Sequence, residues 1–317
     1  MAKRKDPERG RARVPVRLLA CDDLGLVQGV QAPDYTRFED AKVVSRWGEA
    51  DRRQNAAHCL AVSACTEDDQ QAGPSGFFLV AVGRTAGRIS VLDGQTGQLR
   101  QTITSDVSSI ALEPERNIAG LRFLTTQASG GPQLLSCTHG GSLQIHAPAL
   151  DSNDEVWERL AQWTVPAEVS SMAVSEDESC IALGCEGTEV NIWDVRSQQR
   201  TFLAKSAKPN RIGLVDLPWC SAVAFMPGSE SLKVLVGTGK SKLRLYDTKH
   251  GRRPVLDLTF GEARITCLAA ETSGKRVWVA NAAGQVEEEE AKENAREQQA
   301  AAGRDRDRSK KQSKSRK

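Results

Sequence analysis

The sequence predicts an all-β fold assembled from one repeated antiparallel unit, and three observations carry that prediction. One strand–turn–strand phrase recurs along the chain. It reads CIALGCEGTEVNIWDV from Cys180 to Val195, LKVLVGTGKSKLRLYDT from Leu232 to Thr248, and LVAVGRTAGRISVLDG from Leu79 to Gly94. Weaker copies are LLSCTHGGSLQIHA, VWVANAAGQVE and, near the start, LLACDDLGLVQGV. Each copy is an apolar strand, a turn at a glycine or small residue, and an alternating strand, which is the periodicity of β structure. The chain is 39% apolar but only 5% aromatic, so its core is one of Val, Leu, Ala and Ile. Strands of this kind cannot bury their apolar faces alone, so repeats at this spacing imply units stacked on one another.

Taken in order, residues 1–13 read as a disordered basic arm, rich in charge and poor in apolar residues. Val14 to Val30 gives two short strands around Asp22-Asp23-Leu24-Gly25, a partial first unit, and the polar stretch from Gln31 to Asn55 reads as a long loop. HCLAVSAC (His58 to Cys65), FFLVAVG and QLRQTIT (Gln98 to Thr104) supply strands of the second unit. The third runs from IAGLRFLTT through LLSCTHGGSLQIHA to ERLAQWTV. VSSMAVS and the turn Ser175-Glu176-Asp177-Glu178-Ser179 open the fourth, SAVAFMPG to PVLDLTF forms the fifth, and RITCLAAETSGKRVWVANAAGQV the sixth. The turns fall near Gly25, Gly87, Gly141, Gly187, Ser241 and Gly284. Four-stranded units closing on a Trp-Asp-like pair, here Trp193-Asp194, are the sequence mark of a WD40 β-propeller. Residues 14–286 are therefore expected to form about six recognisable blades. Residues 287–317 are expected to be a charged tail, acidic then basic, disordered or transiently helical. No segment that would close the ring on the first blade is evident; six irregular blades could close the ring, or a partner could cover the edge, but the favoured expectation is a truncated or differently spliced seven-blade ring with disordered charged termini.

The formal net charge of +2 conceals an asymmetry: residues 1–17 carry +5, residues 303–317 carry +6, and the body between them about −9. Basic arms suit nuclear import or contact with nucleic-acid phosphate, whereas the acidic body argues against nucleic acid wrapping the propeller. Eight scattered cysteines without a CxxC pair, several inside strand patterns, read as small buried hydrophobes in a reducing intracellular compartment. No apolar run approaches membrane-spanning length, so no membrane partner is expected.

Chemistry finds little support in the residues. Gly237-Thr238-Gly239-Lys240-Ser241 has the look of a phosphate-binding loop, but position 234 is valine and a strand follows instead of a helix, so it reads as an inter-strand turn. His139 and His146 flank a turn near Cys137 without a fourth ligand at zinc spacing, and His58 and His250 lie in other blades. The pairs Asp22-Asp23 and Asp68-Asp69 sit in polar turns, and no nucleophile elbow is present. The expectation is a non-enzymatic chain without cofactor or metal. The sharper candidates are for partner binding. Arg252 and Arg253, between two strands, can grip phosphate or carboxylate bidentately; the bland alternative is two surface arginines packing beside Pro254. Lys205, Lys208 and Arg211 lie in the loop between the fourth and fifth blades. Trp219, close behind them, is either an anchor for a partner or part of the core. Lys3, Arg4 and Lys5, with Lys310, Lys311, Lys314, Arg316 and Lys317, fit nuclear or nucleolar targeting or weak RNA contact.

One segment narrows the reading. Ala207-Lys208-Pro209-Asn210, Asp216-Leu217, Trp219, Tyr246-Asp247, Arg252-Arg253-Pro254-Val255 and Phe260-Gly261-Glu262 occupy the places of a signature in the WD repeat-containing protein 74, or Nop-seven-associated, ribosome-biogenesis family. The chain resembles that family over roughly residues 15 to 286, most specifically over 204–262. It departs in having one Trp-Asp, no Gly-His dipeptide and no seventh blade. The resemblance implies a nucleolar scaffold in large (60S) ribosomal subunit biogenesis and pre-rRNA processing. Its implied partners are pre-60S ribosomal proteins and assembly factors, an AAA-type remodelling ATPase, and ribosomal RNA at the basic tails. The alternatives are a generic WD40 adaptor in a ubiquitin-ligase or signalling complex, and an enzyme with convergent polar groups in the central channel.

Overall fold

A computed structural model describes residues 16–33, 38–63, 78–104, 113–125, 132–149, 156–207, 217–228 and 231–290. These residues fold into six antiparallel sheets arranged as the blades of a propeller. Blade 1 comprises β1 (Val16–Cys21), β2 (Val27–Ala32) and β3 (Lys42–Trp47). Blade 2 comprises β4 (Ala57–Val62), β5 (Leu79–Arg84), β6 (Arg88–Asp93) and β7 (Leu99–Thr104). Blade 3 holds β8 (Ile118–Leu124), β9 (Gln133–Thr138), β10 (Ser142–Pro148) and β11 (Trp157–Thr164). Blade 4 holds β12 (Glu168–Val174), β13 (Cys180–Glu186), β14 (Asn191–Asp194) and β15 (Arg200–Leu203). Blade 5 holds β16 (Cys220–Met226), β17 (Lys233–Thr238), β18 (Lys242–Asp247) and β19 (Leu256–Thr259). Blade 6 ends the described chain with β20 (Ile265–Ala270), β21 (Arg276–Asn281) and β22 (Val286–Glu290).

Two strands differ from expectation. The polar stretch 31–55 contains β3, whose mostly exposed side chains hide the strand from periodicity; its backbone pairs with β2 from Val27↔Trp47 to Gln31↔Lys42. Blade 1 is therefore three-stranded. The run after Val286 continues as β22 through Glu290, pairing with β21, so a strand crosses the expected tail boundary.

All six expected turn positions take positive φ: Gly25, Gly87, Gly141, Gly187, Ser241 and Gly284. The inner strands β4, β8, β12, β16 and β20 pack side by side around the axis. Each carries a bulge at its start, skipping His58, Ala119, Ser170, Ser221 and Thr266 in turn. A bulge bends and twists a strand, and its repetition puts the same local bend at the start of the inner strands of blades 2 to 6. Small residues then bring blades together. A Cβ at Gly83 would lie 2.8 Å from Ile118, and one at Gly237 would lie 2.4 Å from Ile265, so each glycine lets the next inner strand close on it.

The core is divided into layers between blades, one for each adjacent pair. Val27, Trp47, Val80 and Leu92 join blades 1 and 2; Ile89, Ile103, Ile118 and Leu134 join 2 and 3. Leu135, Leu143, Ile181 and Leu183 join 3 and 4; Ala182, Ile192, Val236 and Tyr246 join 4 and 5; Leu235, Leu243, Ile265 and Val279 join 5 and 6. Among the described residues no such layer joins blade 6 to blade 1. Cys59, Cys137, Cys180, Cys185 and Cys220 act as packing groups, as their place in the strands implied, and burial pushes the Cys59 and Cys220 thiols up to about 12; Cys267 is exposed. No helix among the described residues is long and apolar enough to cross a membrane.

Candidate partner-binding site on blades 4 and 5

The strand leaving blade 4 is held down by blade 5. Arg252 Nε donates to Leu203 O, and Arg253 Nη1 donates to Ser206 O at 3.0 Å. Lys205 N donates to Arg252 O at 2.7 Å. The two arginines thus clamp residues 203–206 from a turn nearly fifty positions away. Guanidinium suits the task because its planar fork can meet carbonyl oxygens and still leave N–H groups facing solvent.

The clamped segment forms one wall of a 370 Å³ cavity whose other walls include Trp193, Asn191, Glu189, Arg200 and Pro166. One lining residue, Glu189, is held by a buried polar cluster behind the wall. Glu189, in the β13–β14 turn, accepts from Tyr246 Oη at 3.0 Å and from Arg244 Nη1 at 3.4 Å. Arg244 also reaches Asp257 at 3.4 Å. Burial, reinforced by the Glu189 charge, pushes the Tyr246 hydroxyl upward, so it remains a donor at every working pH. Trp193 Nε1 donates to Asn191 Oδ1, whose amide nitrogen faces Cys185 Sγ at 3.4 Å. What remains for a ligand is an apolar wall of Trp193, Leu203 and Pro166, with the exposed cations Arg200 and Lys205 at its rim. That arrangement suits an apolar side chain flanked by carboxylates.

Of the residues singled out from sequence, Lys205, Arg252 and Arg253 come together here. Trp219 is half-buried and lies elsewhere. Its ring covers Gly239, where a Cβ would approach within 1.9 Å, and its backbone bridges to Glu186. Lys208, Arg211 and the terminal group Lys3, Arg4, Lys5, Lys310, Lys311, Lys314, Arg316 and Lys317 lie outside the described residues. Trp193 and Arg200 were not anticipated as site residues. The cavity gathers separate stretches of chain, and the only local signal was the Trp-Asp pair itself.

The segment 237–241 is a turn: Thr238 Oγ1 accepts from Lys242 N at 2.9 Å, Ser241 sits at φ +56°, and β18 follows. His139 Nδ1 donates to Val169 O at 2.6 Å, tying blade 3 to blade 4, and His146 is buried. No group of three or more metal-ligating side chains converges among the described residues. A second cavity of 290 Å³ lies along the inner strands, lined by Met172, Val223, Phe225 and Leu268, with Arg122 its one ionisable residue. It opens toward a 590 Å³ mouth, where Asp177 is engaged by the hydroxyls of Ser175 and Ser179 at 2.5 and 2.7 Å.

Sequence comparison places these features among known proteins. Human WD repeat-containing protein 74 is 32% identical over 166 residues, covering 51% of this chain and 41% of the human protein. The chain resembles WD repeat-containing protein 74. The mouse protein of that name is 28% identical over 165 residues, again 51% of this chain and 41% of its own length. The matches thus span about two fifths of these relatives. Ribosome biogenesis protein NSA1 of Meyerozyma guilliermondii is 33% identical over 63 residues, 20% of this chain and 16% of the yeast protein. No protein-family model matches. The solved structure of U3-55K superposes with a TM-score of 0.60 over 88% of this chain and 75% of that chain, at 15% identity, which supports the propeller fold. The resemblance to the WD repeat-containing protein 74 family read from residues 204–262 is borne out by these relatives; in that segment Arg252 and Arg253 build the clamp and Tyr246 holds Glu189 of the cavity wall.

Proposed function

We propose that this chain is a non-enzymatic WD40 scaffold in ribosome biogenesis. Its stage is assembly of the large (60S) subunit and pre-rRNA processing in the nucleolus. The observation that carries the proposal is the likeness, over half the chain, to WD repeat-containing protein 74, together with the shorter match to a protein named for ribosome biogenesis. The geometry is compatible with it. The polar groups below the blade 4–blade 5 cavity are committed to one another, and the inner channel carries one ionisable side chain among the residues lining its cavity. A rigid rim of cations over an apolar wall is equipment for holding a partner.

In this reading the cavity takes an acidic segment of a pre-60S ribosomal protein or assembly factor. Arg252 and Arg253 hold the wall in place, and Lys205 and Arg200 meet its carboxylates. The basic residues at 3–5 and 310–317 add salt-sensitive attraction to ribosomal RNA. An AAA-type ATPase is the expected agent of release. The test is purification of the tagged full chain at low and moderate salt, followed by sedimentation and mass spectrometry. Co-sedimentation with large-subunit precursors, reduced at least tenfold by Arg252→Ala with Arg253→Ala, is the expected result. Recovery of only ligase or signalling subunits, without ribosomal RNA, would replace this reading with that of a generic adaptor.

A further inference from the structure

The inner strands of blades 2 to 6 share one register. Counting from the bulge and across to the paired strand, Ala61, Arg122, Ala173, Ala224 and Ala269 occupy one equivalent position, opposite Ala81, Leu135, Ala182, Leu235 and Trp278. Four blades use alanine there, which lets the next inner strand pack closely; blade 3 uses arginine. Cross-strand partners share a face, and Leu135 belongs to the layer between blades 3 and 4, so Arg122 is turned toward blade 4.

The side chain meets the 290 Å³ cavity along the inner strands, whose walls there are Met172, Val174, Val223, Phe225 and Leu268. It also lines the 590 Å³ mouth beyond. Arg122 is exposed, and among the described residues nothing hydrogen-bonds to or pairs with its guanidinium. Arg84, Arg100, Arg244 and Arg252, by contrast, are all engaged. The acids of the mouth are Glu176 and Asp177, of which Asp177 accepts from Ser175 and Ser179 and Glu176 is exposed. This is the opposite end of the blades from the clamp. The turn before β13 lines the mouth and the turn after it lines the blade 4–blade 5 cavity, so the two sites are about 20 Å apart at the rise of a strand.

A lone cation at the base of an apolar recess selects an anion, and the planar fork of guanidinium matches a carboxylate. The recess offers backbone groups little to bond with besides Arg122. A loop would carry two runs of polar backbone into it, and each group left unpaired there is costly. A chain end enters as a single strand and brings its own carboxylate, the mode by which other folds capture C-termini.

We propose that the mouth formed by blades 3 to 6 captures the free C-terminus of a partner polypeptide. The terminal carboxylate pairs with Arg122, and an apolar last side chain lies against Met172, Phe225 and Leu268. A basic residue a few positions upstream faces Glu176. This is a second docking surface, and it does not depend on the ribosomal reading.

The test is fluorescence anisotropy on the full chain with three N-terminally labelled peptides. The first is Gly-Lys-Ser-Gly-Leu with a free carboxylate, the second is the same peptide amidated, and the third is amidated Gly-Lys-Ser-Asp-Leu, whose carboxylate is on a side chain. The free acid should bind about tenfold or more tighter than its amide, as expected for loss of a charge-assisted contact. Arg122→Ala should bring the free acid down to the affinity of the amide with circular dichroism unchanged, since alanine is what the other inner strands carry. Arg122→Lys, which keeps the charge without the fork, should restore part of the difference. Arg252→Ala with Arg253→Ala should leave binding unchanged, so failure here and failure of the ribosomal reading are distinguishable. Equal affinity for acid and amide would overturn the proposal, as would undiminished binding to Arg122→Ala or no saturable binding at all. Equally tight binding of the aspartyl amide would overturn it in favour of an acidic side chain. Benzoylphenylalanine placed at Phe225 should cross-link to the free acid; cross-linking instead to this chain's own residues or to a second copy would also overturn it.

Discussion

Tyr246→Phe isolates the interaction that joins Glu189 of the cavity wall to the blade 4–blade 5 layer. Tyr246 is fully buried, and its hydroxyl donates at 3.0 Å to Glu189, which is itself 5% exposed. Phenylalanine fills the same space, so the change removes one hydrogen bond and creates no cavity worth counting. A hydrogen bond to a charged group contributes about 1.5–3 kcal/mol. The remaining cation is 3.4 Å from Glu189 and shared with Asp257, so it does not make up the loss. We expect a destabilisation of about 2 kcal/mol, which at a urea dependence of about 1–3 kcal/mol per molar moves the midpoint down by roughly 1 M. The assay is urea unfolding followed by fluorescence and circular dichroism together, with coincident transitions required. Glu189→Gln alone and with Tyr246→Phe completes a double-mutant cycle, in which coupling above about 1 kcal/mol is expected for groups in direct contact. A loss under about 0.5 kcal/mol, with no coupling, would refute the reasoning and leave Glu189 hydrated rather than locked between blades.

Strong acid should weaken blade 2. The Arg100 guanidinium and the backbone N–H groups of Thr96 and Gln95 hold the Asp93 carboxyl down to about 2, from 3.8. Stability from this site, up to about 2 kcal/mol, is therefore complete above pH 4 and lost as pH falls toward 2. The urea midpoints of the native chain and Asp93→Asn should converge over that range, and a constant gap would count against the assignment. Gly239→Ala sets a methyl 1.9 Å from the Trp219 ring, so about 1–3 kcal/mol of overpacking and a shifted tryptophan emission are expected; an unchanged spectrum would deny the contact. Hydrogen exchange should be faster in β2 and β21 than in β9 and β13, because blades 1 and 6 each have one packed layer where blades 3 and 4 have two. Uniform protection would contradict the layered core.

The repeated turns were legible because they are chemistry at fixed positions. A chain that must reverse between two strands places Gly, or in one case Ser241, where φ is positive, and all six positions follow that rule. The strands that escaped notice, β3 and β22, sit at sheet edges with solvent along them, so their side chains carry no alternation to read. KVVSRW and VEEEE are strands because a neighbour offers its backbone, a fact of pairing and not of composition. The site was half legible for a related reason. Two adjacent arginines announce a capacity to bind oxygen atoms, but the carbonyls of Leu203 and Ser206 they select are 49 and 47 residues away. Nor could the sequence say whether Trp219 meets a partner or a glycine.

The same limit explains why the ends of the blade series are informative. The second strand of a blade is written for two neighbours whatever its place in the ring. VWVAN in blade 6 is as apolar as LVAVG in blade 2, with a large side chain on each face. Burial is then decided by whether a neighbour is there: Val80, Val82, Ala81 and Gly83 have one on both sides, and Trp278 has none. A purely solvent-facing strand in an antiparallel sheet would alternate apolar with polar residues. Trp278, Leu18 and Val43 break that rule at the two ends of the described blade series, each on a face that meets no neighbouring sheet among the described residues.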